Sequence, residues 1–242
     1  GSGGVVSGAS AVAKTSATGT TKATLQDGAK VAANTLTVNA QHTVKFNAVA
    51  DSANAAIVGA SGLKVSHDVD TDVLATVGQN ATIATPGDTV LKAVNTSVKD
   101  WRGDQTSGDT ANWNLSAAGG GVASGAAVDN DINVIHDANV TVGNDSTITA
   151  GSGGTVGSFL VDAESNITVR DKARINTGGA IAIADVDSRI NAQGNTKVAI
   201  GSATITNDTG HIKVGAKNNA NIDNRVAADT YGVAGAPAGT AY

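Results

Sequence analysis

Two histidine–aspartate pairs are the residues in this sequence best suited to acid–base chemistry. His67-Asp68 and His136-Asp137 each set an imidazole beside a carboxylate, the combination that orients a general base in hydrolases. Both pairs precede similar phrases, "VGQN" and "VGND", so we interpret them as copies of a structural repeat. Nothing in the sequence marks a nucleophile for either pair. We therefore expect no catalytic residues, and only a small effect of alanine at either histidine.

Three alternate carboxylates, Asp68, Asp70 and Asp72, form a candidate calcium site. Alternation along a strand places all three on one face. The glycine and closing glutamate of an EF-hand loop are missing, and so is the glycine-rich calcium repeat of β-rolls. We expect these aspartates to be solvent-facing charges that discourage sideways strand pairing, and we expect neither a metal nor another cofactor.

Arg102-Gly103-Asp104 is the tripeptide that many integrin ligands present, and it is our candidate receptor-binding site. It lies between the chain's two tryptophans, Trp101 and Trp113. The intervening residues are polar and rich in turn formers, which predicts an exposed hairpin tip with the tryptophans at its base. The alternative is an ordinary polar loop, because short motifs often match by chance.

Seven Asn-x-Ser/Thr sequons also occur, at Asn80, Asn95, Asn114, Asn139, Asn144, Asn166 and Asn207. In a chain rich in asparagine and threonine such sequons arise from composition, so they give weak support for glycan attachment.

The elements that position these residues must be built from small side chains. The 242 residues include 30 glycines and only two each of Phe, Trp and Tyr, so the chain can fill a narrow core but not a wide one. Absence of cysteine excludes disulfides and thiolate metal sites. A net charge of −5 argues against nucleic acid as a partner. No apolar run approaches the ~20 residues of a membrane helix, so we expect no membrane insertion.

Internal repeats decide the predicted fold. One strand–turn–strand phrase recurs as "LQDGAKVA" (25–32), "VGQNATIA" (77–84), "VGNDSTIT" (142–149), "VRDKARIN" (169–176) and, shortened, "IGSATIT" (200–206). The later half also divides into blocks of about 22–27 residues, the size of one solenoid coil. This spacing predicts an all-β chain, a right-handed parallel β-helix (β-solenoid) with about 22–27 residues per coil and about ten coils.

Longer echoes join the two ends of the chain. "LTVNAQHTVKFNAVADS" (36–52) matches "IKVGAKNNANIDNRVAADT" (212–230), and "GVVSGAS" (4–10) matches "GVAGAPA" (232–238). We interpret residues 1–242 as one solenoid segment cut from a longer array, with a protruding loop or hairpin near 99–120. Strands rather than a helix are expected at 50–61, because its counterpart near the end of the chain holds Pro237 and several glycines.

The phrases "DGAKVAANTLTVNAQ", "NDSTITAGSGG" and "ADTYGVAGAPAGTAY" resemble the repeats of filamentous-haemagglutinin-type adhesins. They look most like the leukotoxin family of filamentous adhesins in Gram-negative bacteria. The resemblance covers nearly the whole chain and is weakest near 99–120. It implies a right-handed parallel β-helix within a very large secreted exoprotein, exported by two-partner secretion through an outer-membrane transporter. The family's secretion motifs are not visible in this sequence, so no functional residue is carried over.

We therefore expect a fragment of a secreted or cell-surface filamentous adhesin, a rigid rod that mediates attachment through repeated weak contacts. The expected partners are a host-cell receptor or a neighbouring cell surface, with end-to-end or lateral self-association. One alternative is a purely structural filament. Another is a glycan-cleaving β-helix, which needs clustered carboxylates or basic residues, whereas this chain has a single glutamate and scattered arginines. We expect this chain not to be an enzyme.

Overall fold

The computed structural model describes residues 2–101 and 113–242, and within them it contains β-strands and no helix. The strands are β1 (Ser2–Leu25), β2 (Lys30–Ala32), β3 (Leu36–Lys45), β4 (Ala50–Val77), β5 (Thr82–Thr85), β6 (Thr89–Lys99), β7 (Leu115–Gly120), β8 (Ala123–Val142), β9 (Thr147–Ala150), β10 (Phe159–Ile200), β11 (Thr204–Asn207) and β12 (Ile212–Ala241). The all-β prediction is confirmed, and 50–61 belongs to a strand.

Alternation of side chains explains why these segments are strands. In β4 every second residue from Leu63 to Val77 is buried, and the residues between them face outward. The same two-residue period continues through β8 and most of β10. Valine, isoleucine and threonine suit this conformation because their branched side chains pack well on a pleated surface.

All pairs among the described strands are parallel, and these strands fall into two sheets. Eight strands form the larger sheet, and β2, β5, β9 and β11 form the smaller one. Leu25 pairs with Val77, Val77 with Val142, and Val142 with Ile200, so the chain returns to one line after 52, 65 and 58 residues. The chain thus stacks on itself in parallel layers, an arrangement consistent with the β-helix class.

The expected coil length of about 22–27 residues is wrong for this register, in which paired residues lie between 52 (Lys30–Thr82) and 70 (Thr89–Phe159) positions apart. The phrases beginning at 25, 77, 142 and 200 do stack on one another, but the phrase at 169–176 lies on a different wall. The error arose because every wall surrounds the same narrow interior and so has the same alternation. The described layers number at most five, about 20 Å of stack rather than ten coils.

Turns between the two sheets use the residues that the repeat predicted. Gly28, Asn80 and Asp145 all have left-handed backbone conformations, with φ of 67°, 54° and 58°. Backbone hydrogen bonds link these turns from layer to layer, as Gly28 N donates to Gln79 O. Glycine, asparagine and aspartate are the residues that tolerate this conformation at lowest cost. The predicted turn chemistry is confirmed.

The interior is a set of narrow apolar columns. In the smaller sheet Val31, Ile83, Ile148 and Ile205 stack directly on one another, and Ile83 and Ile148 are at most 1% exposed. Similar branched side chains in adjacent layers pack closely on one another, so the column is filled without large residues.

Within the ranges that the structure describes, no helix has both the length and the apolar character needed to cross a bilayer.

Candidate functional site

The histidine–aspartate pairs do not form dyads. His67 and His136 face the interior and are at most 1% exposed, whereas Asp68 and Asp137 lie on the outer face of the same strands. Adjacent strand residues point to opposite faces, so each imidazole is turned away from its neighbouring carboxylate. The histidines are also not copies of one position, because His67 pairs with Ile132 and His136 with Thr71. They are separate buried side chains.

Burial holds both imidazoles neutral at physiological pH. It lowers the pKa of His67 to about 4, with a contribution from the Lys99 ammonium, and it lowers the pKa of His136 to about 4, with a contribution from His42. His136 shares hydrogen bonds with Ser97 Oγ and Ser165 Oγ. The expectation that alanine at either histidine has little effect is wrong, because removing a fully buried ring leaves a cavity.

His67 packs against an aromatic ring. Its ring centroid lies 5.2 Å from that of Phe46, and neither ring nitrogen has a hydrogen-bond partner among the described residues. An enclosed, neutral imidazole can exchange no proton with a substrate unless the coil opens. The geometry therefore gives His67 a packing role.

The three alternate aspartates lie on the outer face, as predicted. Asp68 accepts a hydrogen bond from Asn133 Nδ2 at 3.0 Å, and Asp72 accepts one from Thr20 Oγ1 at 3.3 Å, so both bind the neighbouring layers. Across 2–101 and 113–242, no group of three or more His, Asp or Glu side chains is close enough to hold a metal ion. These aspartates provide outward charge and interlayer hydrogen bonds.

A buried ion pair is the main polar feature that the sequence reasoning missed. Lys99 Nζ donates to Asp171 Oδ1 at 2.6 Å, and both side chains are 1% exposed. The network crosses the interior, since Asn130 Nδ2 donates to the other oxygen of Asp171 and to Ser188 Oγ. Burial lowers the pKa of Lys99, and Asp171 opposes that shift. The alternation of β6 was the signal in the sequence that could have placed Lys99 on the inward face.

We expect Lys99→Met to lower the free energy of unfolding by about 3–5 kcal/mol, because it leaves the Asp171 carboxylate buried without its cation. The double variant Lys99→Met with Asp171→Leu should recover most of that loss, because both charges are gone. Urea unfolding of the three proteins measures the difference. Lys64 and Asp129 form an exposed pair at 2.8 Å, so Lys64→Met is the matched control with little expected change. A loss in the double variant equal to that in the single one would contradict this account.

Basic side chains gather around the tryptophans. The Trp101 ring centre lies 4.4 Å from Lys172 Nζ, 4.4 Å from the Arg225 guanidinium and 5.5 Å from that of Arg170. Arg174 lies 5.8 Å from the Trp113 ring. We call these residues the tryptophan cluster: Trp101, Trp113, Arg170, Lys172, Arg174 and Arg225. Cations that lie over aromatic faces in this way are attracted to the rings electrostatically.

Strand register assembles the tryptophan cluster. Arg170, Lys172 and Arg174 are alternate outward residues of β10, and Arg225 pairs with Lys172 from β12. Lys99 pairs with Val169, and Leu115 pairs with Ala173. The chain therefore has more residues between Lys99 and Leu115 than between their partners in the next layer, and these additional residues lie between the tryptophans. After the tryptophans, β7 begins at Leu115.

Acidic partners balance part of this positive charge. Asp223 accepts hydrogen bonds from Arg225 Nε at 2.8 Å and from a terminal guanidinium nitrogen of Arg225 at 2.7 Å. Asp229 lies 3.1 Å from Arg174. Asp100 lies 3.7 Å from Arg170. The side chains are thus held in place against the wall, which lowers the conformational entropy that a ligand contact would cost.

Arg102, Gly103 and Asp104 lie outside the residues that the structure describes. Two of the sequons are inaccessible in the folded chain, because Asn95 and Asn114 are fully buried. Asn95 Nδ2 donates to Thr71 O at 2.6 Å, so a glycan there would break the interior. The other five sequon asparagines are partly or fully exposed.

Compared with family models, with curated proteins and with solved structures, the chain matches none.

Proposed function

We propose that this chain is a rod segment of a secreted or cell-surface filamentous adhesin of a Gram-negative bacterium, with the fold of a right-handed parallel β-helix. The parallel register supports this most directly. Each strand pairs with the strand one layer on, as β1 with β4 and β4 with β8, so further layers would lengthen the rod without changing its cross-section. A long, stiff element of this kind suits presentation of binding surfaces away from a cell.

Binding, rather than catalysis, fits the polar residues of the described chain. The two imidazoles with depressed pKa values are buried, and basic side chains surround Trp101 and Trp113. Tryptophan and arginine are the residues most often found at energetic centres of interfaces. The tryptophan cluster and the segment between its two tryptophans therefore form the proposed contact region for a host-cell receptor.

The resemblance to filamentous adhesins supports the remaining parts of the proposal. It implies export by two-partner secretion through an outer-membrane transporter. A purely structural filament is the alternative from which a binding assay separates it. A soluble glycan array with product analysis tests binding and cleavage together. Binding without cleavage supports the adhesin, neither supports the stalk, and cleavage would establish the glycan-cleaving enzyme.

We expect Asp104→Glu to reduce cell attachment to the immobilised chain by at least about tenfold, a loss of about 1.4 kcal/mol. The change keeps the charge but adds one methylene, so a receptor contact that depends on geometry weakens. Asp109→Glu makes the same chemical change in the same segment outside the tripeptide, and it is the matched control. Equal attachment by all three proteins would mean that Arg102-Gly103-Asp104 is incidental and that another surface binds.

A further inference from the structure

We propose that the side chains of Lys99 and Asn130 join in an intramolecular amide bond, which forms after the chain folds and releases ammonia. Asp171 contacts both side chains and transfers the protons. The inference rests on the buried contacts of these three residues, and it does not require the proposed adhesive function.

One carboxylate bridges an amine and an amide. Lys99 Nζ donates to Asp171 Oδ1 at 2.6 Å, and Asn130 Nδ2 donates to Asp171 Oδ2 at 2.6 Å. The nitrogen that attacks and the nitrogen that leaves are therefore bound to the two oxygens of the same group. Reacting groups held together in this way react several orders of magnitude faster than the same groups free in solution.

Strand register brings the two reacting side chains into one turn of the chain. Lys99 is the last residue of β6, and Asn130 lies in β8. Both residues fall between Val77 and Val142, which pair with each other and so mark the limits of one turn. Asp171 belongs to β10 in the next layer. The new bond therefore crosses the interior within a single turn.

Burial excludes water from all three groups. Lys99 and Asp171 are 1% exposed, and Asn130 is 0% exposed. Burial lowers the pKa of Lys99 more than Asp171 raises it, which favours the neutral amine with its free lone pair. Lys64 beside Asp129 is the opposite case, because this contact is exposed and raises the pKa of the lysine, which stays an ammonium.

Hydrogen bonds fix the orientation of the Asn130 amide. Its Nδ2 also donates to Ser188 Oγ at 2.8 Å, and Ser188 Oγ donates to Asn224 Oδ1 at 2.8 Å. Asn130 Oδ1 is buried and has no hydrogen-bond partner among the described residues. An unpaired buried carbonyl oxygen costs free energy. The proton that Asp171 gains in the reaction supplies a donor for this oxygen.

The reaction balances in atoms and charge. The Lys99 ammonium gives one proton to the Asp171 carboxylate, and the lone pair of the neutral amine attacks Asn130 Cγ. Asp171 then passes its proton to Asn130 Nδ2 and takes the second proton from the attacking nitrogen. The bond between Cγ and Nδ2 breaks and ammonia leaves. A secondary amide remains beside a protonated Asp171, and the step consumes no other reactant.

The product removes two charges from the interior. An ammonium and a carboxylate both lose their hydration when they are buried, and their mutual attraction can fail to offset that cost. The amide and the protonated carboxyl group are neutral, so the product avoids the cost. Ammonia that reaches the solvent is diluted, which favours the bonded form further.

The bond closes the turn at the place where extra residues enter it. The ring that it forms contains residues 99–130, and these include the segment between Trp101 and Trp113. A covalent cross-link stabilises a fold mainly because it restricts the unfolded chain. This turn therefore stays closed across the interior when its hydrogen bonds open.

The intact mass of the purified whole chain tests the proposal. We expect a mass lower than that of the sequence by one ammonia. Digestion should then yield a branched peptide in which Lys99 Nζ is joined to Asn130 Cγ. Chain kept in urea from its synthesis should have the full mass and should lose ammonia only after dilution into native buffer.

Three results would overturn the inference. The first is a folded chain that keeps the full mass after prolonged incubation. The second is a loss of ammonia without a branched peptide, which would indicate a cyclic imide at an asparagine. The third is a loss of water with Lys99 joined to Asp171, because Asp171 would then be the electrophile and not the proton carrier.

Variants assign the roles. Lys99→Arg keeps a cation beside Asp171 but removes the nucleophile, so its mass should equal that of its sequence. Lys64→Arg makes the same change at the exposed pair and should lose ammonia like the wild type. Asp171→Leu keeps both reacting groups and removes the proton carrier, so ammonia loss should slow by at least about 100-fold. Circular dichroism checks that each variant retains its strands, and an unchanged rate in folded Asp171→Leu would contradict the role of Asp171.

The same mass measurement separates this proposal from the others. The urea comparison of Lys99→Met concerns the ion pair, and the intact mass of each sample shows whether the ion pair or the amide is being unfolded. Cell attachment plays no part in these measurements, so the adhesin proposal can fail while this one stands.

Discussion

Ile148→Asp is expected to lower the free energy of unfolding by about 5 kcal/mol or more and to unfold the layers around it. Ile148 is fully buried between Ile83 and Ile205. A carboxyl group there loses its hydration and gains no cation. Such burial raises the pKa of a carboxyl group by about 3–5, and a pKa change of one corresponds to about 1.4 kcal/mol. Circular dichroism and urea unfolding at neutral pH measure the loss.

The neighbouring residue provides a matched control. Thr147 lies on the same strand and is exposed, so Thr147→Asp adds the same group to the outer face and should leave stability nearly unchanged. Ile175→Asp, fully buried between Ala117 and Ala228, repeats the test in the larger sheet. Wild-type stability in both buried variants would show that the inward columns are not what holds the fold together.

Acid should destabilise the chain through its two buried histidines. The folded-state pKa of each is about 4, below the ordinary value of 6.5, so the unfolded chain binds more protons between these limits. The contribution of the two histidines to the free energy of unfolding is complete above pH 6.5 and is lost as the pH falls toward 4. At about 1.4 kcal/mol per pKa unit, each histidine costs about 3 kcal/mol near pH 4, and the two together about 6 kcal/mol. Urea unfolding at pH 7 and near pH 4 measures this loss.

His67→Leu separates titration from packing. The imidazole has no hydrogen-bond partner among the described residues and lies against Phe46, so a leucine of similar volume should change stability little at pH 7. It should remove about half of the acid loss. His136→Leu should also cost stability at pH 7, because it leaves the hydroxyls of Ser97 and Ser165 without their partner. An unchanged acid loss in His67→Leu would assign the pH dependence to other groups.

Strands, turns and the faces of side chains could be predicted from the sequence, whereas the number of residues between stacked layers could not. Alternation and turn residues gave the strands, the turns at Asn80 and Asp145, and the outward face of Asp68. The predicted coil length was wrong because the phrase at 169–176 has the same alternation but lies on another wall. A two-residue period reports which face a side chain occupies and contains no information about the layer to which it belongs.

The same limit explains the missed polar contacts. Alternation could have placed Lys99 and Asp171 inside, but the pair is 72 residues apart, and only the true register brings them together. The tryptophan cluster depends on Lys172 and Arg225 being paired across layers, which the wrong coil length had concealed. Such contacts follow from register, which burial of the whole stack determines.

The long return of the chain has a consequence for how it folds. Among the described strands, no hydrogen-bonded pair can form until residues 52 to 70 positions apart have met, as Lys30 meets Thr82 and Thr89 meets Phe159. Closing loops of that size costs entropy before any contact offsets it, so the first layer forms slowly. Once it exists, its open edge is a template, and each further layer adds to a formed surface. Refolding of such a chain should therefore show a slow first step, the closing of the first layer, followed by faster addition of the remaining layers.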